Sequence, residues 1–335
     1  MLPDLQVGWT GPSVRPMHAP HDHPVDRSAA ADPSVAVAAV AKGWEADEDA
    51  PLLLGALEVE GVRAVPAMWD DPSVDWSAFD LVVIRSTWDY AQRPREFVDW
   101  ARRVEEVTRL TNPAAVVEWN VDKHYLGQLA AAGVHAVPTT YLEPGAAPEE
   151  VERAVRGAGE IVVKPTISAG SKDTTRHAAD DLGAAAANAS ALLRAGRPVM
   201  VQPYLASVDR DGETGMVFFD GELSHAFCKG QLLHRGAAPA AGLFADERIS
   251  PRVPDRDELA LAESVLDAAG HLLGVERLLY ARVDAIRDAE GRPTLLELEL
   301  VEPSFFLDTD DGAATRAARA IAAAARAARA GRIAN

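Results

Sequence analysis

The sequence predicts an α/β protein, with a small parallel α/β unit followed by α+β lobes. Three observations carry this. Short apolar runs alternate with segments of helical periodicity through the first third of the chain. Later stretches carry hairpin signals, of which Asp220-Gly221 is the clearest. With 335 residues, 48% of them hydrophobic, the chain is too long for one small core and suggests two or three compact units.

The elements follow in order. Residues 1–33 contain Pro, His and Asp without periodicity and read as an N-terminal extension. Val35 to Val40 is a buried-strand candidate, Pro51 to Glu60 a helix, Gly61 to Val65 a second strand and Asp80 to Ile84 a third. Phe97, Trp100, Ala101, Val104 and Thr108 recur at helical spacing. This alternation predicts an N-terminal parallel α/β domain over 34–119. Asp122 to Gly133 reads as a helix ending at glycine, opened by Lys123. Val134 to Leu142 and Glu160 to Lys164 read as strands, 178–196 as an Ala-rich helix, and Pro198 to Pro203 as a strand stopped by proline. Met216 to Phe219 and Ser224 to Lys229 form the Asp220-Gly221 hairpin, and 255–273 is a helix. From Ala313 the chain is an Ala/Arg helix. Its arginines Arg316, Arg319, Arg326 and Arg329 are expected to form a solvated face.

Composition narrows the function. The chain has 33 basic and 51 acidic residues, a net charge of −18, which disfavours nucleic acid and anionic lipid as partners. No apolar run is long enough to span a bilayer, so no membrane role is expected. Cys228 is the only cysteine, there is no secretion pattern, and a cytoplasmic location is expected. The histidines, including His18, His21 and His23, show no metal-ligand spacing. P-loop, G-x-G-x-x-G, H-E-x-x-H and G-x-S-x-G motifs are missing from the sequence.

The most informative stretch is Leu278 to Pro303, two apolar runs around a Gly-Arg-Pro turn. Side chains alternate across a strand. Arg282 and Asp284 then share one face, and Glu297 and Glu299 share one, with Leu296, Leu298 and Leu300 opposite. Taking Ala289 to Arg292 as the loop pairs Asp288 with Pro293 and sets Asp284 opposite Glu297. Opposed like charges destabilise a sheet, whereas a divalent cation between them reverses the sign. Hard carboxylate oxygens suit Mg2+. The competing reading is a solvated acidic face. Lys164 ends an apolar strand ahead of the small, hydroxyl-rich segment Thr166 to Thr174, whose backbone amides suit phosphate. A snorkelling surface lysine is the alternative for Lys164 and for Lys123.

In order along the chain, Asn120-Val-Asp-Lys123, Val-Val-Lys164-Pro, Val201-Gln-Pro-Tyr-Leu205, Ala281-Arg-Val-Asp284 and Leu296-Glu-Leu-Glu299 resemble the ATP-grasp superfamily over residues 35–310. The resemblance implies an ATP-grasp fold with a lobe and lid over 120–200, a C-terminal lobe with a metal site over 201–312, and a terminal helix over 313–335. It implies ATP contacts from Lys123, Lys164, Ser168, Gly170, Ser171, Gln202, Pro203, Tyr204 and Leu205. Asp284, Glu297 and Glu299 would hold Mg2+, and Arg282 and Lys229 would serve catalysis at the transferring phosphate. Many relatives have Glu-x-Asn where this chain has Glu297-x-Glu299. A homodimer is implied by the superfamily alone.

A narrower resemblance rests on Ile84-Arg-Ser-Thr-Trp-Asp-Tyr90, Trp119-Asn120 and Leu298 to Phe306. These look like an actinobacterial subgroup that includes the D-cycloserine synthetase of antibiotic biosynthesis. That resemblance implies ATP-dependent cyclisation of O-ureido-D-serine, a small amino-acid-like substrate, through an acyl phosphate. The alternatives are an intermolecular amide-forming ligase, an ATP-binding protein without turnover, and a phosphotransferase. Arg85, Ser86 and Thr87 end the third strand, where α/β sheets place ligand groups, and are substrate candidates. A packed corner of Arg85, Trp88 and Asp89 is the equal alternative. Glu302 and Ser304 are further substrate candidates or turn formers, and Asp47 to Asp49 weaker pocket candidates.

Overall fold

The computed structural model describes residues 32–156, 159–231, 233 and 248–333. Of the extension read at 1–33, only Asp32 and Pro33 fall among the described residues. The first region holds β1 (Ser34–Ala39), α1 (Ala41–Ala46), α2 (Asp49–Val59), β2 (Arg63–Met68), β3 (Leu81–Ile84), α3 (Pro94–Val107), β4 (Arg109–Thr111) and α4 (Ala114–Asn120). Its four strands are parallel in the order β2-β1-β3-β4.

The next stretch holds α5 (Tyr125–Ala131), β5 (Thr140–Leu142), α6 (Pro148–Val155), β6 (Ile161–Pro165), β7 (Thr175–His177), α7 (Leu182–Arg194) and β8 (Val199–Pro203). They build an antiparallel sheet, β5-β8-β6-β7, packed against α6 and α7. Then come α8 (Val208–Asp211), β9 (Glu213–Phe219), β10 (Glu222–Lys229), β11 (Ile249–Arg252), α9 (Arg256–Leu273), β12 (Tyr280–Arg287), β13 (Pro293–Glu299) and α10 (Ala313–Ile333). Their strands form a five-stranded antiparallel sheet, β11-β10-β9-β12-β13.

Local chemistry explains the well-placed elements. Asp220 and Gly221 both take positive φ, 50° and 77°, as a two-residue hairpin turn with the right twist requires. Asp255 and Glu258 form a reciprocal cap on α9, and Gly274 ends it in the left-handed conformation. In the parallel sheet Leu81 and Val83 face one core with α2 and α10, while Val82 and Ile84 face the other with α3 and α4. Both faces are covered, so these strands read as unbroken apolar runs.

Several expectations need correction. The helix expected from Asp122 starts only at Tyr125. The Asp122 carboxylate accepts the His124 backbone N–H at 3.2 Å, and the Lys123 N–H donates to Thr166 O at 2.9 Å. These bonds hold a turn that competes with helix. The strand expected over Val134 to Leu142 is divided. Only Thr140–Leu142 joins β8, because His135 and Val137 exchange backbone bonds with Leu295 of the other sheet. Helices α4 and α6 were not anticipated. The arginines of α10 do more than coat a solvated face. Arg319 pairs with Glu60 at 3.2 Å, Arg329 donates to Asp32 O at 3.0 Å, and Arg316 donates to Ser224 Oγ at 2.9 Å.

The acidic hairpin pairs Asp284 with Glu297 and Arg282 with Glu299. The route to that register differs from the simple count. Arg287, not Asp288, faces Pro293, and a bulge between Asp284 and Ala285 leaves Leu296 without a partner. The shorter pairing and the extra residue cancel. The bulge also turns Leu296 to the side opposite that expected. It packs with Val137, Val208, Ile286, Tyr204 and Leu205.

Candidate active site

Between the two antiparallel sheets lies a cavity that opens to solvent. It is lined by Lys123, Lys164, Ser168, Gly170, Ser171, Gln202, Pro203, Tyr204, Leu205, Lys229, Arg282, Asp284, Glu297, Glu299, Glu302 and Ser304. Arg85, Ser86 and Thr87 do not reach it. They are 0–1% exposed, and Arg85 is enclosed by Asp47, Asp49 and the Phe305 ring, whose centroid lies 4.0 Å from the guanidinium carbon. Arg85 is packed in a corner, but not the one expected: its partners are Phe305, Asp47 and Asp49, which belong to that corner rather than to a pocket, while Trp88 lines the cavity and Asp89 bonds Trp69 and Arg93.

The strand ends place the cations. Lys164 leaves β6 at the head of the loop 166–174, in which Gly170, Ser171 and Asp173 have φ of 58–60°. Three left-handed residues in four make a tight turn, closed by Lys172 N–H to Ala169 O and Thr174 N–H to Ser171 O, both at 3.2 Å. Lys123 donates to Ser168 O at 2.8 Å and pairs with Glu297 at 3.1 Å, tying the loop to β13. Lys229, at the end of β10, lies 3.9 Å from both Glu213 and Asp284. Arg282 grips Asp284 through Nε and Nη2 at 2.9 and 2.8 Å, bonds Glu299, and donates to Ser304 O at 3.1 Å.

Below this charged end, Tyr204 stacks against Arg176, whose guanidinium carbon is 3.5 Å from the ring centroid. Arg176 is in turn bonded to Glu160 and Asp209. Gln202 donates to Thr139 Oγ1 at 2.9 Å. The segment 202–205 is thereby fixed over the apolar floor of Val137, Ile286 and Leu296. One end of the cavity is flat and apolar. The other is crowded with charge.

Burial disfavours charge on every group here. It lowers the pKa of Lys164, with Lys123 and Lys229 adding to the effect against Glu297 and Glu213. Lys123 also loses hydration, but Glu297 outweighs this and raises it. Burial pushes Glu213 up to about 7. Glu299 is raised by burial with Asp284 and Glu297 beside it, against Arg282, whereas the lysines hold Glu297 low despite its burial. Acid outruns base on this wall.

That surplus bears on the metal expectation. Among the described residues no three His, Cys, Asp or Glu side chains are grouped to hold a metal ion, and Arg282 and Lys123 take up the carboxylates of Asp284, Glu299 and Glu297. The donor chemistry nevertheless suits Mg2+. All three are hard oxygen donors, and burial raises the Glu299 carboxyl to about 8 despite Arg282 beside it.

Glu213, Trp88, Tyr90 and Phe306 also line the cavity and were not singled out as site residues from sequence. One signal for Glu213 was available, since it opens an apolar strand directly opposite Lys229 in register. Trp88 and Tyr90 lie in the Ile84 to Tyr90 motif, where spacing alone does not separate a wall residue from a packed one.

Comparison with known proteins places the chain in a family. Residues 35–112 match the family model of the N-terminal domain of D-cycloserine synthetase DcsG. The chain is 42% identical over 278 residues to the cycloserine biosynthesis protein DcsG of Streptomyces lavendulae, covering 82% of this chain and 92% of that protein. It superposes on a crystal structure of D-cycloserine synthetase DcsG with TM-score 0.82 and 39% identity, covering 87% and 99% of the two chains. A D-alanine–D-alanine ligase from Bacillus anthracis, complexed with ATP, matches with TM-score 0.64 at 13% identity, over 89% and 98% of the chains, and so shares the fold.

Proposed function

The chain belongs to the DcsG family of D-cycloserine synthetases, ATP-grasp ligases, and from that premise we propose that it closes O-ureido-D-serine to D-cycloserine at the expense of ATP. The observation that carries the reading is the convergence of Lys123, Lys164, Lys229 and Arg282 on one end of a cavity whose other end is flat and apolar. In this reading the adenine lies against Gln202 to Leu205, over Val137, Ile286 and Leu296. The triphosphate runs past the lysines beneath the amides of Ser168 to Ser171. The loop over 166–174 acts as a lid, with one lobe at 120–200 and the other at 201–312. Asp284, Glu297 and Glu299 would hold Mg2+, which when bound offsets the charge of the triphosphate.

The chemistry needs alignment and charge neutralisation rather than a protein nucleophile. The substrate carboxylate attacks the γ-phosphorus, breaking its bond to the bridging oxygen and releasing ADP. The nitrogen bonded to the substrate's side-chain oxygen then attacks the acyl phosphate carbon. A C–N bond forms, phosphate leaves, and a five-membered ring closes. Water then adds to the carbamoyl carbon, the bond from that carbon to the ring nitrogen breaks, the nitrogen takes a proton, and the carbamic acid released gives CO2 and ammonia. Arg282 lies where charge builds on the transferred phosphoryl group and the tetrahedral carbon. Closure of the loop over the acyl phosphate keeps water from hydrolysing it.

The test is release of ADP and phosphate from Mg2+-ATP, with and without O-ureido-D-serine, and mass spectrometry of the products. Substrate-dependent ADP release with D-cycloserine is expected. ADP release with other amino acids but not with this one removes the cyclisation. No release with any carboxylate removes the ligase reading.

A further inference from the structure

Five carboxylates line the cavity: Glu213, Asp284, Glu297, Glu299 and Glu302. Four have a lysine or arginine within 4.0 Å. Among the described residues, none reaches Glu302. The Tyr90 hydroxyl lies close enough to its carboxyl for each to perturb the other's titration. Its backbone carbonyl accepts the Trp88 indole N–H at 3.3 Å. The turn that carries it is fixed just beyond, where Asp49 accepts the backbone N–H groups of Phe305, Phe306 and Leu307 at 2.7, 3.1 and 2.7 Å. Glu302 is therefore a carboxyl pre-positioned beside the cavity, with no lysine or arginine within 4.0 Å among the described residues and Lys123 acting on it only from further off.

We propose that Glu302, aligned by Tyr90, seats the protonated α-amino group of the substrate, so that the site takes α-amino carboxylates in preference to desamino acids. An unpaired carboxylate in a partly desolvated cavity favours a cationic ligand that replaces its lost hydration. Burial pushes Glu302 up to about 7, as befits a carboxyl that lacks such a partner. This inference rests on the ligase reading above.

The experiment compares kcat/KM for O-ureido-D-serine and for its desamino analogue, by ADP release, in the unsubstituted enzyme and in Glu302→Gln and Tyr90→Phe. The unsubstituted enzyme is expected to prefer the amine by at least about 100-fold, and Glu302→Gln to shrink that preference to below about 10-fold, with KM for ATP changed less than about threefold. Tyr90→Phe should shrink it by roughly 3- to 10-fold, and it decides the matter if Glu302→Gln does not fold. A preference kept in both variants, or activity lost equally on both substrates, overturns the proposal. Failure of the parent reading looks different, because O-ureido-D-serine then gives no ADP in the unsubstituted enzyme. D-serine against D-glycerate, and D-alanine against D-lactate, then carry the same comparison. Loss of the amine preference in Glu302→Gln still supports the seat, and its retention still refutes it.

Discussion

Two arginines in this molecule have nearly the same company and opposite uses. Arg85 sits between Asp47 and Asp49, at 3.5 and 3.1 Å, with Phe305 against its plane. Arg282 sits between Asp284 and Glu299, with Phe227 and Phe306 about 6 Å away. In the first network every acid is spoken for. Asp49 also accepts three backbone N–H groups, and Asp47 accepts Ser86 Oγ. In the second, Glu299 keeps a quarter of its side chain open to the cavity, and acid exceeds base around it. Residue type does not distinguish a structural ion cluster from a reactive one. Leftover charge facing a cavity does.

Substitutions test that contrast. On the cavity side, Lys164→Ala and Glu297→Gln should each lower kcat/KM by at least about 1000-fold, with melting temperatures close to the parent. A large fall in melting temperature would mean that this wall too is structural. On the closed side, Arg85→Ala should destabilise the fold by about 3–5 kcal/mol, since it strands two buried carboxylates. Urea unfolding measures this, and an unchanged midpoint breaks the comparison. Gly215 lies beneath Phe227, whose ring atoms would come within 2.2 Å of an added Cβ. Gly215→Ala should cost about 1–3 kcal/mol and shift the aromatic wall near Arg282, read as lowered stability together with lowered kcat.

The smallest effect concerns pH. His225 is buried and donates to or accepts from Ser224 Oγ through Nδ1, while Nε2 meets Phe305 O at 2.7 Å. Burial lowers its pKa below the usual 6.5, with Arg316 nearby opposing its charge and Asp310 and Asp49 favouring it. The fold therefore prefers neutral His225. Its contribution is fully present above about pH 6.5 and is lost as the pH falls from there toward the folded-state value. Melting curves between pH 8 and pH 5 should show a shallower acid decline in His225→Gln than in the parent, and parallel curves would remove His225 as the cause.

Much of the site was legible because it sits on strands. Period-two alternation put Arg282 with Asp284 and Glu297 with Glu299, and Asp284 does face Glu297. Turn chemistry gave the Asp220-Gly221 hairpin. What escaped the sequence depended on contacts far along the chain. Leu296 was put on the wrong face because a bulge leaves no signature in hydrophobic alternation. Arg85 was open to two readings because its partners Asp47, Asp49 and Phe305 lie 36–220 positions away. Tyr90 and Glu302 come together only when the first sheet and the turn after β13 meet. Apart from Arg316, which reaches Ser224 and Asp310, the arginines of α10 looked solvated because their acceptors are backbone carbonyls and acids of the first sheet region.

The clasp of Asp49 on residues 305–307 spans 256–258 positions, and the Arg332 bonds to Ser77 and Phe79 span 255 and 253. Such long loops close late, because their entropic cost comes before the contacts that repay it. On a ribosome Asp49 and Trp88 emerge early and wait for the turn bearing Glu302, which they can clasp as soon as residues 302–307 follow β13. A chain stalled before residue 305 would leave Asp49 without those three backbone donors.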